Sequence, residues 1–402
     1  MAKYAKLTRR FTEQYWLIDK VIQTTGPDIC FPMSGIAFGA VGPDVAGDIM
    51  AIRANIRKYP DITREYARVA VKREGMAKKA ESEGHLVTAR DCYFAAAIFY
   101  SMAVWPIHED GNKTNIALSA KKNECYDKFI KYAERPIERV EIPLDGKSMA
   151  GLLHLPPDRS GKVPCVLDMT GMDGCKESQN PHYGEKHLQR GMAVLALDIP
   201  GQGESLLRDI RYSMDSVARA GRATMDFLVK HPAIDPNKIA VSGISSGTLS
   251  AVQMAASDDR YKAVAGRLFC HEPGFHHLFN VTQPAYKARY MWMAGYDDED
   301  EFDKFAQTLT PKGLGAKLKC PFLAVGGEDD EISPIEYSYD LFNEVKTPKK
   351  MVVYEGQLHS LHSCFMDAVS IVTDWLRDRF DGKPAVPEEI IYIDRMGQEK
   401  KR

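Results

Sequence analysis

The most constraining feature of the sequence is a short motif between an apolar run and a stretch of small residues. Residues 239–241 (Ile-Ala-Val) have the character of a buried strand and lead into residues 243–247, Gly-Ile-Ser-Ser-Gly. Residues 249–256 are mostly small and apolar, as expected for a helix packed tightly on a sheet. Gly-x-Ser-x-Gly between a strand and a helix predicts a sharp turn that exposes the serine hydroxyl at a helix N-terminus. The motif therefore favours Ser245 as a nucleophile over a plain tight turn.

Length, charge and cysteine usage narrow the class of protein. A chain of 402 residues suggests two domains, or one large domain with an addition. The formal net charge of −2 gives no reason to expect nucleic acid or an anionic membrane as a partner. The eight cysteines contain no C-x-x-C pair, which argues against a zinc ribbon and a disulfide framework. The cysteines are instead typical of reduced thiols in a cytoplasmic protein, and no apolar run has the length of a membrane span, so we expect a soluble protein. The partner we expect is a small-molecule substrate.

The first third of the chain contains little that resembles a sheet. Residues 61–85 are charged and helix-favouring, residues 88–105 are rich in alanine and aromatic side chains, and residues 115–133 are amphipathic. Residues 26–47 are rich in glycine and proline and predict an ordered loop. We therefore expect a helical domain over residues 1–135, which is either a lid over a site or a dimerisation and packing domain.

The pattern of apolar runs and helical segments in the remaining sequence is typical of an α/β domain. Two alternating segments flank an Asp145-Gly146 turn and predict a strand pair. Continuous apolar runs separated by helical segments then follow, which is typical of parallel strands buried on both faces. We predict a mostly parallel sheet flanked by helices over residues 136–382, with a peripheral tail at 383–402. The predicted strands are 139–143, 149–155, 163–169, 192–197, 238–241, 263–268, 322–325 and 351–354.

A serine nucleophile needs a base, and that base needs an acid to set its tautomer. In this topology the acid should come first, at the carboxyl end of a strand that follows the serine. The predicted strand at 322–325 runs into four consecutive acids at 328–331. We favour Asp330, which lies four residues before Pro334, and keep Asp329 as the alternative. A solvated acidic turn would also account for this stretch.

The candidate base follows the next strand. Residues 351–354 lead into a loop that contains His359, from which an imidazole can reach across to Ser245. His362 follows three residues later, where it could line a pocket and bind substrate or simply be packed. We therefore choose His359 over His362 as the base.

Negative charge that develops on a carbonyl oxygen needs preorganised donors. One donor should be the backbone N–H of Ser246, directly after the nucleophile. The other should come from the loop at 170–174, and we assign it to the N–H of Met172, with Gly171 beside it as a substrate-binding candidate. An ordinary strand-to-helix loop is the alternative interpretation.

Two further polar segments carry weaker signals. Residues 198–205 contain several glycines but lack the G-x-G-x-x-G spacing, because Leu206 occupies its last position, so we interpret them as a structural turn. Residues 271–277 (His-Glu-Pro-Gly-Phe-His-His) do not match H-E-x-x-H, and a polar loop is favoured over a metal site. Glu272 or His271 could still contact substrate.

Taken together, these motifs resemble those of α/β-hydrolases. The segments that carry the resemblance are GISSG at 243–247, DIPGQGE at 198–204, GEDDEISP at 327–334 and HSLH at 359–362. The stretch TGMDGCKES at 170–178 and the helical N-terminal region narrow it further. The chain is similar to the group that contains bacterial dihydroxypseudooxynicotine hydrolase and fungal pigment-pathway polyketide hydrolases.

This resemblance implies an activity and an assembly. Members of the group cleave carbon-carbon bonds next to a ketone with a Ser-Asp-His triad, which falls here on Ser245, Asp330 and His359. They need no cofactor, and they are often homodimers in which the helical domain closes the pocket. Our leading interpretation is a carbon-carbon bond hydrolase for an aromatic or polyketide-like substrate. The alternatives are a carboxylesterase with the same triad and a non-catalytic regulatory or binding protein on a hydrolase fold.

Overall fold

The computed structural model divides the chain into two compact units. The residues it describes are 8–29, 33–179, 185–361 and 363–401. The first unit, called here the helical unit, consists of Met1–Ile137 and Glu177–His182. The second, called the sheet unit, consists of Glu138–Lys176 and Tyr183–Arg402.

The helical unit is built around three long helices, of which α5 packs against both α4 and α6. Most side chains of α5 are buried because its alanine and aromatic residues surround the whole helix. This confirms the helical character predicted for the N-terminal region. The helices are α1 (Arg9–Thr25), α2 (Met33–Val41), α3 (Ala46–Asn55), α4 (Asp61–Ser82), α5 (Leu86–Ala103) and α6 (Lys113–Tyr132).

The ordered loop predicted for residues 26–47 is wrong over part of its length. Residues 33–41 form α2, and α3 begins at Ala46. The glycines of α2 disfavour a helix in isolation, but α2 packs on α5 and buries Met33 and Ala37. Tertiary packing therefore outweighs the local propensity.

In the part of the chain that the structure describes, the sheet unit forms a ten-stranded sheet in the order β1-β2-β4-β3-β5-β6-β7-β8-β9-β10. The pairs from β4 to β9 are parallel, whereas β2 with β4 and β9 with β10 are antiparallel. The mostly parallel sheet predicted from the sequence is thus confirmed. The strands are β1 (Ile137–Leu144), β2 (Lys147–His154), β3 (Val163–Met169), β4 (Ala193–Leu197), β5 (Ile234–Ile244), β6 (Val264–Arg267), β7 (Phe322–Gly327), β8 (Lys349–Tyr354), β9 (Glu388–Ile393) and β10 (Glu399–Lys401).

The last two strands occupy residues to which the sequence analysis assigns no strand. The segment predicted as a peripheral tail supplies β9, which pairs with β8 in parallel from Lys349↔Glu388 to Tyr354↔Ile393. β10 then pairs with β9. The tail is therefore an extension of the sheet at its edge.

Helices cover both faces of the sheet, which explains the continuous apolar runs in its strands. Neighbouring residues of one strand point to opposite faces, so Val166 and Ala240 belong to one core and Leu167 and Val241 to the other. The remaining helices are α7 (Lys176–Gln179), α8 (Glu185–Leu188), α9 (Gly203–Leu207), α10 (Met214–Leu228), α11 (Ser246–Ser257), α12 (Ala285–Ala294), α13 (Glu299–Ala306), α14 (Ile335–Glu344) and α15 (Phe365–Phe380).

The parallel strands place the candidate residues at one edge of the sheet. Ser245 follows β5, Asp330 follows β7 and His359 follows β8, while the loop with Met172 follows β3. Carboxyl ends of parallel strands lie at the same edge, where open α/β sheets bind their ligands. Among the described helices, none has both the length and the apolar character required to span a bilayer.

Candidate active site

Ser245 lies in a strained turn between β5 and α11. Its backbone has φ of 54° and ψ of −128°, a region that non-glycine residues adopt at a cost of about 1–3 kcal/mol. Two contacts hold it there: the N–H of Ser245 donates to the carbonyl of Arg267 at 2.9 Å, and Thr248 Oγ1 donates to the carbonyl of Ser245 at 2.7 Å. The turn directs the serine side chain out of the sheet while its backbone stays bonded.

The two glycines of the motif make this turn sterically feasible. A Cβ atom on Gly243 would lie 2.1 Å from the carbonyl oxygen of Gly247. A Cβ atom on Gly247 would lie 2.5 Å from the carbonyl oxygen of Thr170. Both distances are too short for any side chain, so the spacing of glycines around Ser245 follows from the closeness of three backbone segments.

His359 joins the serine to a carboxylate. Its Nε2 lies 2.9 Å from Ser245 Oγ, and its Nδ1 lies 2.7 Å from Asp330 Oδ2. Because an ionised carboxylate only accepts, Nδ1 carries the proton and Nε2 is left to accept from the serine hydroxyl. The arrangement sets the tautomer that a general base requires.

Burial distinguishes Asp330 from Asp329, the two candidate acids of the sequence. Asp330 is buried, and its Oδ1 accepts hydrogen bonds from the N–H groups of Ile332 and Ser333, each at 2.9 Å. Asp329 is exposed, and its N–H donates to the carbonyl of Gln357 at 3.0 Å. The structure thus brings Asp330, and not the alternative Asp329, to the imidazole.

The charges around His359 favour its protonated form. Burial lowers the pKa of His359, but the charge and hydrogen bond of Asp330, with further contributions from the charges of Glu331 and Asp173, outweigh it and raise the pKa above its usual 6.5. Glu331 also accepts the backbone N–H of His359 at 2.9 Å. The imidazole is therefore a stronger base than a free histidine.

The two expected oxyanion donors lie beside Ser245. Ser246 begins α11, and Met172 follows Gly171, where a Cβ atom would lie 3.0 Å from the Cβ of Ser245. Within the described part of the chain, neither the N–H of Ser246 nor that of Met172 donates a hydrogen bond to another protein group. Two unpaired donors are therefore available near the serine.

The remaining substrate-binding candidates have different surroundings. Both carboxylate oxygens of Glu272 are engaged by His277, through its N–H and its Nδ1, each at 2.7 Å. His271 is buried with Nδ1 2.9 Å from Ser338 Oγ, and burial lowers its pKa to about 4, so it is neutral near pH 7. His362 lies outside the described residues.

One residue that sequence reasoning did not select lies against the Met172 loop. Gln202 is buried in the turn after β4, which the sequence analysis treats as structural, and its amide contacts Thr170 and Gly171. The available signal was its position, since a polar side chain after a parallel strand lies at the same edge as the other candidates.

No cluster of three or more potential metal ligands occurs among the residues that the structure describes. The segment at 271–277, which resembles a ligand set by composition, instead has Glu272 bonded to His277 and His271 bonded to Ser338.

The sheet order, the serine turn after β5 and the later acid and histidine define the α/β-hydrolase fold. The model of the esterase FrsA-like family matches residues 58–381. The chain therefore belongs to the FrsA-like esterase family, and its resemblance to α/β-hydrolases is confirmed.

Individual relatives agree with this assignment. The chain is 26% identical over 321 residues to the esterase FrsA of Yersinia pestis (strain Pestoides F), covering 75% of this chain and 73% of that protein. The esterase FrsA of Yersinia pseudotuberculosis (serotype O:1b, strain IP 31758) gives the same values.

Two solved structures share the fold over most of their length. The crystal structure of 2,6-dihydroxy-pseudo-oxynicotine hydrolase is 24% identical, with a TM-score of 0.74, and covers 88% of this chain and 98% of that one. AbyA5 is 18% identical, with a TM-score of 0.63, and covers 81% and 89%. At these sequence identities, the comparison shows only that the fold is shared.

Proposed function

We propose that the chain is a serine hydrolase that cleaves a carbon-carbon bond next to a ketone in an aromatic or polyketide-like substrate. The observation that carries the proposal is the hydrogen-bonded series from Ser245 Oγ through His359 to Asp330, at 2.9 and 2.7 Å. A nucleophile, a base and an orienting acid in this order are what acyl transfer requires.

The first half of the reaction uses the described groups directly. Ser245 Oγ attacks the carbonyl carbon while His359 Nε2 takes the hydroxyl proton, and Asp330 stabilises the imidazolium that forms. The oxyanion accepts hydrogen bonds from the N–H groups of Ser246 and Met172, which have no protein acceptor in the described residues. The intermediate then collapses to an acyl-enzyme.

Expulsion of carbon adds one requirement to this scheme. The electrons of the broken bond go to the leaving carbon, so the substrate must stabilise them as an enolate, as a β-diketone does. The imidazolium of His359 returns its proton to that leaving group. Water, activated by His359, then hydrolyses the acyl-enzyme and releases a carboxylic acid.

Support for this substrate class comes from the resemblance of the motifs and from the shared fold with 2,6-dihydroxy-pseudo-oxynicotine hydrolase, which covers 88% of this chain. The second candidate is a carboxylesterase, which the FrsA-like family match favours. Ester hydrolysis uses the same acylation step and leaves an alkoxide or phenoxide, which needs less stabilisation than a carbanion.

Turnover of two probes separates these candidates. The wild-type chain and Ser245→Ala are each supplied with benzoylacetone, a β-diketone, and with 4-nitrophenyl butyrate, an aryl ester. Ser245-dependent cleavage of the diketone supports the first proposal. Rapid ester cleavage without diketone cleavage replaces it with the second. Absence of both activities, together with no labelling of Ser245 by a fluorophosphonate, would leave the non-catalytic alternative.

Three further predictions accompany the proposed function. The lid role of residues 1–135, assembly as a homodimer and a cytoplasmic location rest on the sequence and its resemblance. Light scattering of the purified chain measures the assembly, for which we expect twice the 45.0 kDa of one chain.

A further inference from the structure

The loop after β3 is held by a side chain from the neighbouring strand's loop. Gln202 Nε2 donates to the carbonyl of Gly171 at 3.0 Å and to that of Thr170 at 3.3 Å. Thr170 Oγ1 donates in return to Gln202 Oε1 at 3.3 Å. Gln202 is only 2% exposed, so these bonds form away from competing water.

The bond to Gly171 fixes the direction of the N–H of Met172. The carbonyl of Gly171 and the N–H of Met172 belong to the same peptide group, which is trans, so the two point in opposite directions. Gln202 binds the carbonyl, and the N–H therefore points away from Gln202. Gly171 itself lies against Ser245, with an ideal Cβ position 3.0 Å from the Cβ of the serine.

A second side chain holds the next peptide group. Arg289 of α12 is buried, and its Nε donates to the carbonyl of Met172 at 2.8 Å. The peptide groups on both sides of the Met172 Cα atom are thus bonded to side chains that come from two other parts of the sheet unit. Within the loop, the carbonyl of Gly171 also accepts the N–H of Gly174 at a longer distance of 3.5 Å, so the two side chains add to this turn contact in orienting the segment.

The turn that presents Gln202 is itself rigid. Its N–H donates to the carbonyl of Ile199 at 3.0 Å. Gly203 has φ of 44°, and a Cβ atom there would lie 2.1 Å from Asp198 Oδ2. The Asp198 carboxylate accepts the N–H groups of Lys176 and Glu204 at 2.8 and 2.9 Å. The glycine-rich segment therefore does more than reverse the chain, because it places the side-chain amide of Gln202 beside the loop after β3.

We infer that Gln202 is a positioning residue that aims the N–H of Met172 at the oxyanion. The inference rests on the proposed function, since it deepens the role of the same site. Gln202 acts through the Gly171–Met172 peptide group and does not touch the reacting atoms. Removal of an oxyanion donor typically costs about 100- to 1,000-fold in turnover, so a misdirected donor should cost about 10- to 100-fold.

The test compares binding of the substrate in its ground state with binding of a tetrahedral adduct. Gln202→Glu keeps the size of the side chain but replaces the donor with a group that repels the carbonyl of Gly171. For 4-nitrophenyl butyrate we expect kcat to fall about 10- to 100-fold with KM nearly unchanged. The inhibition constant of an aryl trifluoromethyl ketone, which forms an anionic adduct with Ser245, should rise by a similar factor.

Two further variants separate positioning from general stability. Thr170→Val removes the hydroxyl that binds Gln202 Oε1 and is a milder change, for which we expect a smaller loss in the same two quantities. Thr373→Val removes an equally buried hydroxyl, which donates to the carbonyl of Val369 at 2.9 Å in α15. This control should lower the melting temperature without changing kcat or the inhibition constant.

Arg289→Met supplies a double-mutant cycle with Gln202→Glu. Because both side chains hold one segment, their effects on kcat should be non-additive.

The inference is overturned if Gln202→Glu and Thr170→Val both keep the wild-type kcat and ketone affinity, or if Thr373→Val reduces them equally. Should Gln202→Glu fail to fold, Thr170→Val alone decides between these outcomes. A wild-type chain that neither cleaves the ester nor reacts with the fluorophosphonate contradicts the proposed function instead, so the two failures are distinguishable.

Discussion

The serine turn and the acidic loop after β7 lie at the same edge of the sheet but specify their residues in different ways. In the serine turn, Gly243 and Gly247 approach neighbouring backbone so closely that no other residue fits, and Ser245 is the one residue of the motif that is not fully buried. In the acidic loop, four consecutive acids have similar chemistry. The spacing to Pro334 favours Asp330, but the contacts that separate it from its neighbours exist only in the folded chain.

The distinction arises from contacts made at a distance along the sequence. Asp330 is buried and bonded to His359, whereas Glu331 accepts the backbone N–H of His359 and Asp329 is exposed. The comparison teaches that a nucleophile can be encoded within five residues, while the acid is distinguished by its burial and by its bond to His359. Substitutions in the two loops test this difference.

The largest effect is expected at the serine turn itself. Ser245→Ala should lower kcat/KM for 4-nitrophenyl butyrate by about 10⁴-fold or more, because it removes the nucleophile and leaves the backbone unchanged. Circular dichroism and the melting temperature should match the wild type. Ser246→Ala is the matched control, since it keeps the backbone N–H, and should cause a far smaller loss. Comparable losses at both serines would contradict the assignment.

The acidic loop should show a strong effect at one of its two aspartates. Asp330→Asn removes the charge that holds Nδ1–H of His359, and we expect kcat to fall by about 10³- to 10⁴-fold. Asp329→Asn changes an exposed side chain and should leave kcat nearly unchanged. Turnover of the same aryl ester measures both variants. A strong loss at Asp329 would mean that the loop does not select its acid by burial.

The steric basis of the serine turn is tested at its second glycine. Gly247→Ala places a Cβ atom 2.5 Å from the carbonyl oxygen of Thr170, and we expect a loss of about 1–3 kcal/mol in the free energy of unfolding, with reduced turnover. Gly75→Ala is the control, because a Cβ atom there meets nothing within 4 Å in α4. Urea denaturation should show the control to be neutral or slightly stabilised. Equal destabilisation of both would remove the steric explanation.

The smallest expected effect is a shift in pH dependence. His359 acts as a base only when neutral, so kcat/KM falls as the pH decreases through its raised pKa, and the acid limb should lie above pH 6.5. Glu331→Gln removes one of the charges that raise this pKa, while it keeps an oxygen that can accept the backbone N–H of His359. The limb should therefore move to lower pH.

Glu328→Gln provides the comparison for this shift. Its carboxylate accepts the N–H of Gly356 at 3.2 Å, and its charge is not one of the main contributors to the raised pKa of His359. The pH profile of this variant should match that of the wild type. If the acid limb of the pH profile keeps its position in Glu331→Gln, or moves equally in both variants, the electrostatic explanation is contradicted.

The sequence predicts the parts of the molecule that depend on local periodicity and close packing. Continuous apolar runs locate the parallel strands because both faces of the sheet are covered, and the run at Val163–Met169 has the bounds found in the structure. The topology then predicts which strand ends meet. For this reason the sequence alone predicts that Ser245 and His359 lie close together.

Features that depend on tertiary contacts cannot be predicted from local sequence patterns. The choice of Asp330 over Asp329 needed a spacing rule, since burial is a property of the folded chain. Helix α2 forms where glycines predict a loop, because packing on α5 compensates their low propensity. Gln202 carries no recognisable motif, and its relation to Gly171 spans 31 residues.

The strands at the C-terminal end have a consequence for the histidine. β9 covers the outer side of β8, the N–H of Glu355 donates to the carbonyl of Ile393 at 2.9 Å, and the side chain of Arg395 lies beside Gly356. Proteolytic removal of the chain from residue 388 onwards would expose the hydrogen-bonding groups of β8 as a template for another chain. It would also remove contacts of Glu355 and Gly356, which begin the loop that leads to His359. Removal of these C-terminal strands should therefore cause both aggregation and slower turnover.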